Sequence, residues 1–137
     1  MAANDFANKL GIRAGQHVYL EGAPAEFAAE RLTGLPPGCR VATVLPNGAR
    51  PDMVILWLKD KEGLEAVFQR LRHLIPPDGA AWAVIPKKKS VRPKGSAAPD
   101  FQDALAAALP TGLVDNKTLT FDDVEYGIRF VVRRELR

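Results

Sequence analysis

Two stretches of the sequence hold side chains of a type and spacing that could bind or react. One is Glu21-Gly22-Ala23-Pro24, which follows the apolar run His17-Val18-Tyr19-Leu20. A glycine at such a turn lets a ligand meet the backbone closely, and a carboxylate near the start of a helix could hold a cationic group. The competing role for Glu21 and Glu26 is to complement the dipole of the helix that follows. The other stretch runs from Pro86 to Ser96. It carries Lys87, Lys88, Lys89, Arg92 and Lys94 with no acid among them. Such a cluster attracts phosphate-rich partners, nucleic acid included, by releasing their counterions. No aromatic residue is interleaved to stack bases, so the alternative is a solvated loop.

The remaining candidates read as structural. His17 and His73 have no carboxylate or cysteine at metal-ligand spacing. Cys39, the single cysteine, follows Gly38 at a strand entrance and reads as a small buried filler. Trp57 and Trp82 fall inside apolar runs, where core packing is expected. Asp122, Asp123 and Glu125 make an acidic turn without the ligand pattern of a calcium loop. No serine sits in a nucleophile-elbow context.

These residues need a scaffold, and Asp52 to Pro86 supplies its centre. Met53 to Leu58 is a continuous apolar run, the pattern of a strand covered on both faces. Asp60 is placed to cap a helix whose Leu64, Val67, Phe68, Leu71 and Ile75 recur at helical spacing, with Lys61, Glu65, Arg70 and Arg72 on the wet side. Pro76 and Pro77 end it. Ala80 to Ile85 is a second apolar run, so strand, crossover helix and strand form one right-handed parallel unit. Upstream, the pattern predicts a strand over 17–20, a helix over 25–32 behind Pro24, and a strand over 40–44. Downstream, Asp100 caps a helix carrying Phe101, Ala104, Leu105, Ala108 and Leu109, closed by Pro110 and Gly112. Strands over 113–121 and 127–134 then flank a connection too short for a parallel crossover, hence an antiparallel hairpin.

Composition sets the outer bounds. The chain of 137 residues, 47% hydrophobic and 26% charged, suits one globular domain over 1–137. Nineteen basic against 16 acidic residues is a mild excess that selects no partner. A lone cysteine excludes an internal disulfide and fits a reducing, cytoplasmic setting. The N-terminal residues lack the apolar core of a secretory signal, and no run reaches membrane-spanning length.

The phrases at 52–56, 74–82, 111–115 and 126–134 (Asp-Met-Val-Ile-Leu, Leu-Ile-Pro-Pro-Asp-Gly-Ala-Ala-Trp, Thr-Gly-Leu-Val-Asp and Tyr-Gly-Ile-Arg-Phe-Val-Val-Arg-Arg) resemble the C-terminal half of the class I S-adenosylmethionine-dependent methyltransferase fold. With Leu10 to Gln16, Leu-Gly-Ile-Arg-Ala-Gly-Gln, the whole chain is similar to a bacterial domain-of-unknown-function family of that shape. The resemblance implies an α/β, three-layer, Rossmann-like domain, shortened, with a mostly parallel sheet and a C-terminal antiparallel hairpin. It also implies a cofactor grip whose two anchors, a Gly-rich first turn and an acid closing the second strand, this sequence lacks. The first turn holds one glycine, Gly22, and the second strand ends Thr43-Val44-Leu45-Pro46 without the acid that would take ribose hydroxyls. The segment from the first strand to Asp52 is also short for two βα units. The expectation is a non-catalytic methyltransferase-like domain, without cofactor, that binds a partner or anionic ligand through Glu21, Gly22 and the Lys87 to Lys94 loop. The alternatives are an S-adenosylmethionine-dependent methyltransferase using Gly22, and a nucleic-acid-binding module.

Overall fold

The computed structural model describes residues 5–87 and 98–137. In chain order the elements are α1 (Asp5–Leu10), β1 (His17–Glu21), α2 (Phe27–Arg31), β2 (Arg40–Ala42), β3 (Met53–Trp57), α3 (Leu64–Leu74), β4 (Ala80–Pro86), α4 (Phe101–Ala108), β5 (Leu113–Thr120) and β6 (Glu125–Val132). Short 3-10 turns follow α4 at Leu109–Thr111 and β6 at Arg134–Leu136. The six strands form one sheet in the order β2-β1-β3-β4-β6-β5. β2, β1, β3 and β4 run parallel, while β6 is antiparallel to both β4 and β5.

The expected centre is present. All five residues of β3 are buried, as are Ala80 to Ile85 of β4, and Met53 stands opposite Ala80 and Trp57 opposite Val84. Because side chains alternate along a strand, these runs feed two separate cores. Val54, Leu56, Ala81, Ala83 and Ile85 meet Phe68 and Leu71 of α3 and Ala104 and Ala108 of α4. Met53, Ile55, Trp57, Trp82 and Val84 meet Phe6 and Leu10 of α1 and Phe27 of α2. The second core is an aromatic layer in which Phe121 lies 5.0 Å from Phe6 and 5.9 Å from Phe27, ring centre to ring centre. Helices on both faces make three layers.

Several local expectations shift. Asp60 does not cap α3. Its Oδ1 accepts the Glu62 N–H at 2.9 Å, a two-residue turn, and the helix starts at Leu64 behind Gly63, whose φ of 76° suits glycine. Asp100 does cap α4, in a reciprocal box with Asp103. α2 and β2 are shorter than their sequence patterns: the Pro24 turn delays α2 to Phe27, and β2 ends at Ala42, where its pairing with Tyr19 of β1 stops. Between β1 and β3 there is one strand and one short helix, and residues 43–52 run from β2 to β3 without a helix. Cys39 is partly exposed, and its thiol donates to the Arg13 carbonyl at 2.9 Å.

Gly127 on β6 faces the aromatic layer with no room to spare. A Cβ there would stand 2.7 Å from Phe121 Cε1 and 2.9 Å from Trp82 Cε3. Phe121 and Trp82 are both buried, so neither ring can step aside into solvent. Gly127→Ala is expected to lower stability by about 1–3 kcal/mol, read as a lower urea midpoint at unchanged slope; an unmoved midpoint would show slack in this layer.

Candidate functional site

The chain leaves β1 toward β2 on one side and returns to β3 on the other, so the strand order reverses between β1 and β3. In open α/β sheets the crevice above such a reversal, at the carboxyl ends of the strands, is where ligands bind. Here that edge is formed by Glu21 and Gly22 at the end of β1, Thr43 after β2, and Trp57 at the end of β3.

Gly22 takes φ of 77°, which a side-chain-bearing residue would adopt only with strain. It turns the chain against β3: a Cβ on Gly22 would touch Trp57 Cβ and its carbonyl oxygen at 3.5 Å. Pro24 then opens the approach to α2, its carbonyl accepting the Phe27 N–H at 3.1 Å. A cleft of ≈ 240 Å³ lies beside this turn, lined by Tyr19, Glu21, Gly22, Ala25, Ala28 and Thr43.

Glu21 is already engaged. Its Oε1 accepts the Tyr19 hydroxyl at 3.0 Å, and its Oε2 pairs with Arg70 Nη2 of α3 at 2.6 Å. The pair is solvent-accessible on both sides and contributes little to stability, but it fixes where the carboxylate points. Burial, then the hydrogen bond and charge of Glu21, raise the Tyr19 pKa above the usual phenol value, with Arg70 opposing. Tyr19 is a donor held in place.

Trp57 links the Gly22 turn to the far side of the edge. Its ring packs edge-on against Phe27 at 4.7 Å, and its indole N–H is buried with no acceptor in bonding geometry. The Glu125 carboxylate at the start of β6 is close enough for that N–H to favour its ionised form. Burial and the neighbouring Asp122 outweigh this and raise the Glu125 pKa above the ordinary carboxylate value, with Lys59 also opposing. Asp122 itself closes the hairpin by accepting the N–H groups of Val124 and Glu125, each at 2.8 Å.

Of the residues singled out from the sequence, Glu21 and Gly22 stand together at the cleft. Lys87 is at the same edge, its N–H bonded to the Val124 carbonyl at 2.8 Å. Two strand spacings, roughly 10 Å, separate β4 from β1, so Lys87 sits on the Glu125 side of the edge. Lys88, Lys89, Arg92 and Lys94 lie outside the described residues. His17 and His73 are exposed, and among the described residues no group of acids, histidines and cysteine is arranged to hold a metal. Trp57 and Trp82 are core, at 7% and 0% exposure. Sequence reading missed Arg70, taken as a solvent-facing helix residue, and Glu125, taken as part of an acidic turn. Only the tertiary arrangement brings Arg70 across 49 positions to Glu21.

A second cleft of ≈ 270 Å³ lies along β1 and β2, between Tyr19, Ala42 and the segment Val44 to Pro51. It occupies the place where no helix follows β2.

The sequence matches no family model, and no curated protein matches it. Solved structures do match in fold. A SAM-dependent methyltransferase from Aquifex aeolicus aligns with TM-score 0.70 at 10% identity, over 91% of this chain and 87% of that one. The N-methyltransferase NodS from Bradyrhizobium japonicum aligns with TM-score 0.61 at 12% identity, over 98% and 100%. The mitomycin 7-O-methyltransferase MmcR aligns with TM-score 0.67 at 11% identity over 86% of this chain, which spans about half, 49%, of that structure. At such identities the likeness is one of fold: a six-stranded, Rossmann-like methyltransferase fold in shortened form.

Proposed function

We propose that the protein binds S-adenosylmethionine at the Gly22 turn and acts as a small methyltransferase. The observation that carries this is the coincidence of three things at one strand reversal: a positive-φ glycine after β1, a cleft beside it, and a sheet shared with methyltransferases. The residues fit the methionine half of such a ligand in that Gly22 lines the cleft and, with φ of 77°, makes the tight turn there against Trp57. For the ribose they offer the Thr43 hydroxyl where a carboxylate would be usual, a weaker but compatible donor and acceptor. When bound, the cofactor supplies an electrophilic methyl group. The chain's own contribution is to position an acceptor and take up its proton. We assign that role to Glu125, on β6 farther along the same edge, because a carboxylate of raised pKa is a stronger base than an exposed one.

One observation favours a second reading, a ligand- or partner-binding domain without catalysis. The Glu21 carboxylate is spent on Tyr19 and Arg70, and no acid closes β2. The two readings part on turnover: both bind ligand at Gly22, but only the first transfers the methyl group.

Calorimetry with S-adenosylmethionine and S-adenosylhomocysteine is expected to show micromolar binding to the intact chain. Gly22→Trp should abolish it, and Thr43→Val, a change that spares the backbone, should weaken it. No heat and no thermal stabilisation with either ligand at millimolar concentration would refute the proposal. Transfer of label from methyl-labelled cofactor to any acceptor then separates catalysis from binding.

The raised Glu125 pKa also makes a stability prediction. The folded protein holds this proton at a pH where the unfolded chain has lost it, so stability from this group falls as pH rises from the ordinary carboxylate value through the raised one. Glu125→Gln removes that loss. Its melting temperature relative to the unsubstituted protein is expected to be higher at pH 7 than at pH 4, and a gap independent of pH would show that Glu125 titrates normally.

A further inference from the structure

Arg129 lies midway along β6, and its side chain runs toward the segment that precedes β1. It stands in register with Trp82 on β4 and Lys117 on β5. Like Gly127 two residues before it, it faces the layer of α1 and α2. Its guanidinium reaches the segment after α1, with Nη2 and Nε 3.8 and 3.9 Å from where a Cβ on Gly11 would be. The side chain is half-buried, yet among the described residues no carboxylate comes within ion-pair distance of it. The charged groups that act on it are two more arginines, Arg13 and Arg137.

These three arginines come from three separate parts of the chain; bonds hold the backbone of Arg13, two residues after Gly11, and the guanidinium of Arg137. The Arg13 backbone is held at both ends: its N–H donates to Gln16 Oε1 at 2.9 Å, and its carbonyl accepts the Cys39 thiol at 2.9 Å. Arg137 Nε donates to the Val132 carbonyl at 2.8 Å. Lys117 adds a fourth cation nearby, its ammonium on the Lys9 carbonyl at 2.8 Å. Of the acids nearby, Asp5 pairs with Lys9 at 3.7 Å and Glu135 with Arg133 at 4.0 Å, while Asp115 stands exposed on β5 opposite Phe130 and forms no ion pair with Arg129.

For folding alone this arrangement is a loss. A half-buried cation beside like charges has shed water without gaining a counter-charge, and burial, Arg13 and Arg137 in that order lower the Arg129 pKa. A methionine would pack the same stem without the repulsion. A bound anion would reverse the balance. Guanidinium forks match the oxygens of carboxylates and phosphates, and a doubly charged tetrahedral group offsets several converging cations better than a single carboxylate. We propose that Arg13, Arg129 and Arg137 form a binding site for a phosphate group, beside the segment that precedes β1.

The test uses the full chain with inorganic phosphate and pyrophosphate as probes, against chloride at the same ionic strength. Phosphate is expected to raise the melting temperature where chloride does not, with pyrophosphate acting at lower concentration. Arg129→Met should melt higher than the unsubstituted protein in phosphate-free buffer and lose the phosphate response. Arg13→Gln, on an exposed segment and harmless to packing, should weaken phosphate binding about tenfold, the weight of a charge-assisted hydrogen bond. A phosphate response equal in all three proteins would overturn the site, as would an Arg129→Met protein less stable than its parent without phosphate. The Gly22 variants serve as a separate control, expected to respond to phosphate as the parent does.

Discussion

Strands β3 and β4 show no face to water, and most of the structure follows from covering them. A strand buried on both sides cannot be satisfied by one layer of helices, so the chain must place apolar surface above and below. It does so with α3 and α4 on one face and α1 and α2 on the other. The right-handed crossover through α3 supplies half of this cover from the segment between the two strands. β6 extends the same demand: Ile128, Phe130 and Val132 enter one core, while Gly127 gives way to the aromatic layer of the other. The sheet then ends at β5, most of whose residues are exposed or half-exposed, because nothing beyond it needs cover.

Where the cover is incomplete, polar groups collect. β1 is buried through Val18 and Leu20 on one face only, and its other face presents Tyr19 to a cleft that no helix fills. The Tyr19–Glu21–Arg70 chain of hydrogen bonds ties that half-covered strand to α3 across the gap. The Glu21 carboxylate, at the ligand edge, is thereby drawn toward the first helix beyond the reversal. Residues 43–52 run on without a helix, and the β2 end carries a threonine. The Gly22 turn is the part of the ligand edge that shortening does not touch, because it belongs to the junction between β1 and β3, the seam both cores share.

The fold was legible in the sequence wherever a pattern had one structural meaning. The double-faced apolar runs at 53–58 and 80–85, the intervening helical spacing, the Asp100 cap and the short hairpin connection each admit a single reading, and the elements stand within a few residues of it. Asp60 was misread because the same side-chain oxygen serves a helix cap and a two-residue turn equally well; Gly63, three residues on, decides between them. The site was half legible. Gly22 declares itself, since a lone glycine between a strand and a helix-initiating proline needs an unusual backbone angle. Arg70 does not, because a long cation on a wet helix face looks alike whether it meets water or a carboxylate from a distant strand. Glu125 and Arg129 were hidden for a related reason: strand alternation says which side a residue faces, not what waits there.

The polar groups that the fold leaves without partners are informative because the rest is so clean. Among the described residues no charged or polar side chain is fully buried. Against that background the exceptions are the Trp57 indole N–H at the end of β3, Arg129 on β6, and Arg72 Nε, which lies beside Gly112. Each has lost water without full repayment in hydrogen bonds. An apolar side chain could fill the space of Arg129, and phenylalanine could replace much of the packing of Trp57 in its aromatic layer. Their polar atoms are therefore not a demand of the core. The Trp57 N–H stands beside the Glu125 carboxylate at the end of the strands, and Arg129 stands beside like charges, the arrangement on which the proposed phosphate site rests.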